Sequence, residues 1–219
     1  MATSRDRQVD LNEGTVLWRS QLGHSWREDG EGDAAVEVPC AHPPSRMRPL
    51  RDRASDGRAN PRGIPCLYLA NRKDTAIAEV RPWIGSYVSV AQFKLLRQLR
   101  IIDCARGHDR QPLFLEEPAQ EKRTEAVWAH IDRAFSEPMT RGDDTADYVP
   151  TQIIAELFKR EGFDGVGYKS NFGEGFNLAI FDLDAAELLN CGLYRVDKVE
   201  LRSSEQDNPY FVRRPAGTG

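Results

Sequence analysis

The stretch Asp56–Pro82, DGRANPRGIPCLYLANRKDTAIAEVRP, decides how the rest of the chain is read. It carries Arg58, Tyr68 and Glu79 at near-even spacing. The residue types predict a loop, a strand, a tight connection and a short helix. Ile64–Ala70 is a continuous apolar run bounded by Pro and polar residues, the pattern of a strand buried on both faces. Asp74 is placed to cap the following helix and Pro82 to stop it. A guanidinium, a phenol and a carboxylate are so brought together with little chain between them. Those groups suit a phosphate, an aromatic ring and a ribose. Each also has a plainer reading: Arg58 in a solvated loop, Tyr68 in the core, Glu79 on a solvent face.

Working outward, residues 1–14 are polar and are expected to be a flexible N-terminus. Thr15–Ser20, TVLWRS, is a short strand carrying Arg19. Residues 23–57 show neither a period of 2 nor one of 3.6. An acidic, Gly-bearing GHSWREDGEGD gives way to a Pro-interrupted, Arg-rich PPSRMRPLRDRASDGR. The expectation there is a long mobile loop. Its arginines are a wet charge run or a reinforcement for gripping an anion. Downstream, Ser86–Phe93 and Leu99–Cys104 read as strands. Glu121–Phe135 and Thr151–Glu161 read as amphipathic helices, with Pro150 at the start of the second. Phe163–Ser170, Phe176–Asp182 and Gly192–Ser203 supply further strands, and residues 204–219 form a flexible tail. Strands and helices do not alternate regularly, which favours α+β with mostly antiparallel sheets. A single domain over residues 15–203 is expected.

The 219 residues carry a formal net charge of −4, which argues against non-specific duplex binding. A small anionic ligand remains compatible, since a local Arg cluster can hold one. The four cysteines are far apart and show no metal-ligand spacing. Cys66 and Cys104 sit in apolar runs and are expected buried and reduced. No apolar run approaches membrane-spanning length and no signal-peptide core opens the chain, so a cytoplasmic location is expected. There is no GxGxxG after a strand and no GxxxxGK[ST]. A nucleotide here is not held in Rossmann or P-loop fashion. Neither a metal set nor a Ser/His/Asp order stands out. Ser170, ahead of Phe172-Gly173-Glu174-Gly175, is a hairpin turn or a hydroxyl presented at a sheet end. Thr151-Gln152 opens a helix and either caps it or offers N–H groups to an anion.

Two stretches carry a family resemblance: GRANPRGIPCLYLANRKDTAIAEV early, and YVPTQIIAELFKREGFDGVGYKS with the Gly-bearing loop before FNLAIF late. Together they resemble the RES domain family, named for its Arg, Glu and Ser. The resemblance implies an ADP-ribosyltransferase-like fold, with two small, mostly antiparallel sheets and a few helices around a cleft for NAD. It implies a toxin that cleaves the nicotinamide–ribose bond of NAD by hydrolysis or phosphorolysis, with NAD as substrate and no metal or cofactor. It implies neutralisation by a helix-turn-helix, Xre-like antitoxin, and leaves a homodimer open. By this match Arg58, Glu79 and Ser170 are the catalytic residues. Arg19, Tyr68, Gln152 and Asn177 are the substrate-binding ones. Arg58, with Arg19, would grip the phosphates. Tyr68 would pack by the nicotinamide, Glu79 would orient the ribose, and Ser170 would hold the nicotinamide or its ribose. The chain departs from the family at Ala59, where an aromatic is usual, and in its long Arg-rich insertion. Two other readings stay open: a protein ADP-ribosyltransferase of the same fold, and a non-catalytic nucleotide-sensing or partner-docking module.

Overall fold

The computed structural model describes residues 2–31, 35–107, 119–137, 145–201 and 203–204. Its framework is an eight-stranded sheet with order β1-β7-β8-β9-β5-β2-β6-β10. The strands are β1 (Gln8–Leu11), β2 (Val16–Leu22), β5 (Leu67–Ala70), β6 (Tyr87–Leu95), β7 (Leu99–Asp103), β8 (Gly165–Lys169), β9 (Phe176–Ile180) and β10 (Ala186–Arg195). A separate hairpin pairs β3 (Ser25–Asp29) with β4 (Val36–Cys40). Among the described strands, only β7 and β8 run parallel. That pairing needs a crossover, and the connection carries α4 (Gln120–Ser136) and α5 (Val149–Arg160). The short helices α1 (Ala2–Arg5), α2 (Pro44–Met47) and α3 (Lys73–Glu79) complete the fold, which is α+β as expected.

The sheet is nearly two sheets. β2 shares seven register pairs with β6, from Val16↔Lys94 to Leu22↔Val88. It shares one with β5, Trp18↔Ala70. A five-strand half and a three-strand half therefore meet along a single narrow seam. The two small sheets implied by the family resemblance correspond to these joined halves.

Strand alternation sorts the side chains into two cores. Leu67 and Leu69 of β5, Ile101 of β7 and Leu178 and Ile180 of β9 enter a core shared with Leu17 and Phe93 of the other half. Their neighbours Tyr68, Ile102 and Ala179 point the opposite way, into a core closed by Trp128 and Phe135 of α4 and Phe158 of α5. Each large apolar side chain so buried contributes about 1.5–3 kcal/mol. The apolar run in the opening stretch is thus buried on both faces, although its strand begins at Leu67 rather than Ile64. Ile64 itself is exposed.

Two segments differ from expectation. Residues 23–57 hold the β3–β4 hairpin and α2 rather than a structureless loop. The hairpin shows its faces mostly to solvent, so no apolar period marked it. The N-terminus is not frayed: β1 pairs with β7, and Arg7 ties it down. The Arg7 guanidinium donates to the carbonyls of Asp103 and Arg106 at 3.3 and 2.9 Å and lies 4.5 Å from the Trp128 ring centre. The expected tail, residues 204–219, lies outside the described residues except for Ser204.

Candidate active site

Glu79 is the last residue of α3. The helix stops there because Arg81 takes a left-handed backbone, φ 47°, with Pro82 next. This leaves the Glu79 side chain facing the seam between the half-sheets. Its Oε1 accepts hydrogen bonds from Ser170 Oγ at 2.6 Å and Asn177 Nδ2 at 2.7 Å. Ser170 follows β8 and Asn177 lies on β9; both are buried. Bonds to a charged acceptor contribute about 1.5–3 kcal/mol each, so the carboxylate is held in one orientation. Both bonds fall on Oε1. Of the two readings of Glu79, a plain solvent face is the wrong one.

Ser170 is fully engaged. Its Oγ donates to Glu79 and accepts from the backbone N–H groups of Phe172 and Gly173, each at 3.2 Å. It orients Glu79 rather than offering a hydroxyl to a ligand. Asn171 locks the same turn, donating from Nδ2 to the Ser136 carbonyl at 2.8 Å.

Glu79 lines a cavity of about 300 Å³ together with Arg19, Tyr68, Tyr168 and Asn177. Arg19 and Tyr68 also line an adjoining cavity of about 540 Å³. These two side chains therefore stand where the two cavities adjoin. Arg19 Nη1 donates to the Tyr68 carbonyl at 3.1 Å, while its buried Nε has no hydrogen-bond partner among the described residues. Burial pushes the Arg19 guanidinium below its usual value. A buried cation with an unmatched N–H is a ready seat for an anion.

Tyr68 lines both cavities and ties its hydroxyl into the Ala59–Asn60 loop. That hydroxyl donates to Asn60 Oδ1 at 2.7 Å and accepts from the Ala59 N–H at 3.0 Å. It is not left for a ligand. Burial raises its pKa well above the ordinary value, as burial and then the Glu79 carboxylate do for Tyr168. Both phenols stay neutral donors. Gly57 is required beside Tyr68: a Cβ there would sit 2.5 Å from the Tyr68 hydroxyl.

Arg58 and Gln152 are not brought into the cleft. Arg58 donates to the carbonyl of Ala134 at 2.9 Å and to that of Glu137, at the end of α4. Its guanidinium is 5.9 Å from the Tyr148 ring centre. In this arrangement it ties the Gly57–Asn60 loop to α4 rather than reaching for phosphates. Gln152, on α5, donates from Nε2 to the carbonyls of Gly57 and Asn60, both at 3.1 Å, and braces the same loop. Arg19, Tyr68, Glu79, Ser170 and Asn177 do meet. Tyr168 and Asn60 went unnamed by the sequence reading. Both lay inside the quoted stretches, but a buried Tyr in a strand and an Asn in a loop look the same with or without a site.

Ala59 is buried under the Tyr68 hydroxyl, in the core closed by α4 and α5. The departure from the family aromatic therefore falls behind the cleft.

Fold and cleft together define an α+β protein with a fixed carboxylate at the seam of two half-sheets and a buried arginine beside it. Residues 34–201 match the RES domain family, and the chain belongs to that family. No curated protein matches the chain. Among solved structures, a chain of the crystal structure of the M. tuberculosis MbcT-MbcA toxin-antitoxin complex is similar. It is 13% identical, with 89% of this chain and 91% of that chain covered and a TM-score of 0.46.

Proposed function

We propose that this protein consumes NAD by breaking the bond between nicotinamide and ribose, and that it acts as the toxin of a toxin–antitoxin pair. One observation carries the reading. Glu79 is fixed through Oε1 by Ser170 and Asn177, at the wall of a cavity that adjoins a second one at Arg19 and Tyr68. Membership of the RES family supports both the NAD chemistry and the antitoxin partner, through what the resemblance implies.

On this reading the roles are as follows. The smaller cavity takes the nicotinamide riboside half, the larger one the adenosine half, and Arg19 meets the diphosphate between them. Tyr68 packs its ring on the ligand. Glu79 holds the ribose hydroxyls. As the C–N bond breaks, its electron pair leaves with the nicotinamide ring and positive charge builds on the ribose. A preoriented carboxylate stabilises that charge most when it is greatest. Water or phosphate then attacks the ribose carbon and releases a proton. Ser170, Asn177 and Asn171 keep the carboxylate aimed, and no metal is required.

The test is nicotinamide release from NAD by the purified full chain, with and without inorganic phosphate, followed by chromatography. Release that disappears in Glu79→Gln is expected. ADP-ribose as co-product marks hydrolysis, and its phosphate ester marks phosphorolysis. Label passing from NAD to lysate proteins instead identifies a protein ADP-ribosyltransferase. No release under any condition, together with unchanged toxicity of Glu79→Gln in cells, overturns the enzyme reading in favour of a binding module.

A further inference from the structure

The larger cavity is more basic than a diphosphate needs. Arg19, Arg46, Arg48 and Arg53 line it, and among the described residues no Asp or Glu does. The chain as a whole is acidic, at net −4, so this positive charge is local. The basic wall is also anchored. Met47, between Arg46 and Arg48, is fully buried at 0% exposure. The Arg46 carbonyl accepts a hydrogen bond from Gln21 Nε2 at 2.7 Å. Arg51 is drawn away from the cavity by Asp184, at 2.5 Å. The far end of the wall is fixed where Asn60 Nδ2 donates to the Ser55 carbonyl at 3.1 Å. Arg53 makes a long, exposed ion pair with Asp52, Nε to Oδ2 3.9 Å.

With Arg19 assigned to the diphosphate, Arg46, Arg48 and Arg53 are left facing the adenosine half. A ribose with a free 2′-hydroxyl is typically held by a carboxylate, whereas a 2′-phosphate is accommodated by arginine. A phosphomonoester brings about −1.5 to −2 of charge at neutral pH and three acceptor oxygens, which guanidinium groups match well. We infer that the wall formed by Arg46, Arg48 and Arg53 binds the 2′-phosphate of a phosphorylated dinucleotide, so that NADP is taken in preference to NAD. This rests on the cleft being the dinucleotide site proposed above.

The test is calorimetric titration of the full chain with ADP-ribose and with 2′-phospho-ADP-ribose, which differ by that one group. Both lack nicotinamide, so binding is read whether or not the protein turns over. The phosphorylated ligand is expected to bind about 10-fold tighter or more, as charge-assisted contacts allow. Arg48→Gln and Arg53→Gln are expected each to shrink that ratio, with folding checked by circular dichroism. Raising the salt concentration on the unaltered chain should shrink it as well. Equal binding of the two ligands overturns this inference and leaves the NAD reading standing. Binding of neither, with no nicotinamide released, overturns both. A ratio that survives both substitutions puts the phosphate elsewhere and overturns the assignment to this wall.

Discussion

Replacing Glu79 by Gln keeps the side chain's shape and its Oε1 acceptor but removes the charge. Nicotinamide release is expected to fall about 100-fold or more, the scale at which preorganised electrostatic groups act. The melting temperature should fall modestly, because Ser170 and Asn177 retain an acceptor but a neutral one, whose hydrogen bonds are weaker. A steady-state assay beside a thermal melt checks both halves of this expectation. Gly57 gives the opposite pattern. A Cβ there would lie 2.5 Å from the Tyr68 hydroxyl and 2.6 Å from Asn60 Oδ1. Overpacking of this kind costs about 1–3 kcal/mol, so Gly57→Ala should lower the urea midpoint. Unchanged stability in that variant would mean that the loop is not held as described. Both residues were singled out or quoted in the sequence, but only the contacts separate a chemical role from a packing one.

The elements that sequence reading missed share one cause. β3 and β4 pair with each other and show mostly solvent-facing side chains. β1 is likewise exposed along most of its length. Strands without a buried face leave no period of 2 in the residues. They form because backbone N–H and C=O groups find partners, and pairing of that kind is not written in side-chain polarity. β1 gives a direct check. Deleting residues 2–11 removes its ladder with β7 and the Arg7 bonds to the Asp103 and Arg106 carbonyls. A loss of about 2–4 °C in melting temperature is expected for each kcal/mol those contacts supply. A truncation that melts like the full chain would restore the picture of a frayed N-terminus. The end of α4 shows the same limit from another side. Carbonyls of Ala134 and Glu137 hold Arg58, and that of Ser136 holds Asn171. Backbone acceptors at a helix end are invisible to any motif.

Taken whole, the molecule keeps its buried thiols and phenols protonated. Burial pushes the Cys66 thiol from its ordinary 9.0 up to about 12 and raises Tyr68 well above its usual range. In both cases the folded state favours the protonated form. The stability this contributes is complete below about pH 9, where the unfolded thiol is still protonated. It is lost as pH rises toward the folded value near 12. The urea midpoint should therefore fall steadily between about pH 9 and pH 11 and be flat from about pH 7 to pH 8. A midpoint unchanged up to about pH 11 would contradict the burial of these groups.

The order of residue types along the chain was enough for the α+β class, a doubly buried strand read at Ile64–Ala70 and found at Leu67–Ala70, both long helices and the family. Those are properties of local pattern: apolar runs, helical stripes and the spacing of Arg58, Tyr68 and Glu79. Which polar residues share one cleft was decided by tertiary structure alone. The seam at Trp18↔Ala70 sets Arg19 of β2 beside Tyr68 of β5, and the turn after β8 brings Ser170 to Glu79 across 91 residues. Arg58, central in the sequence pattern, went instead to the carbonyls of α4. A side chain's identity limits what it can bond. Its partner is chosen by which backbone and side-chain groups the fold leaves within hydrogen-bonding distance.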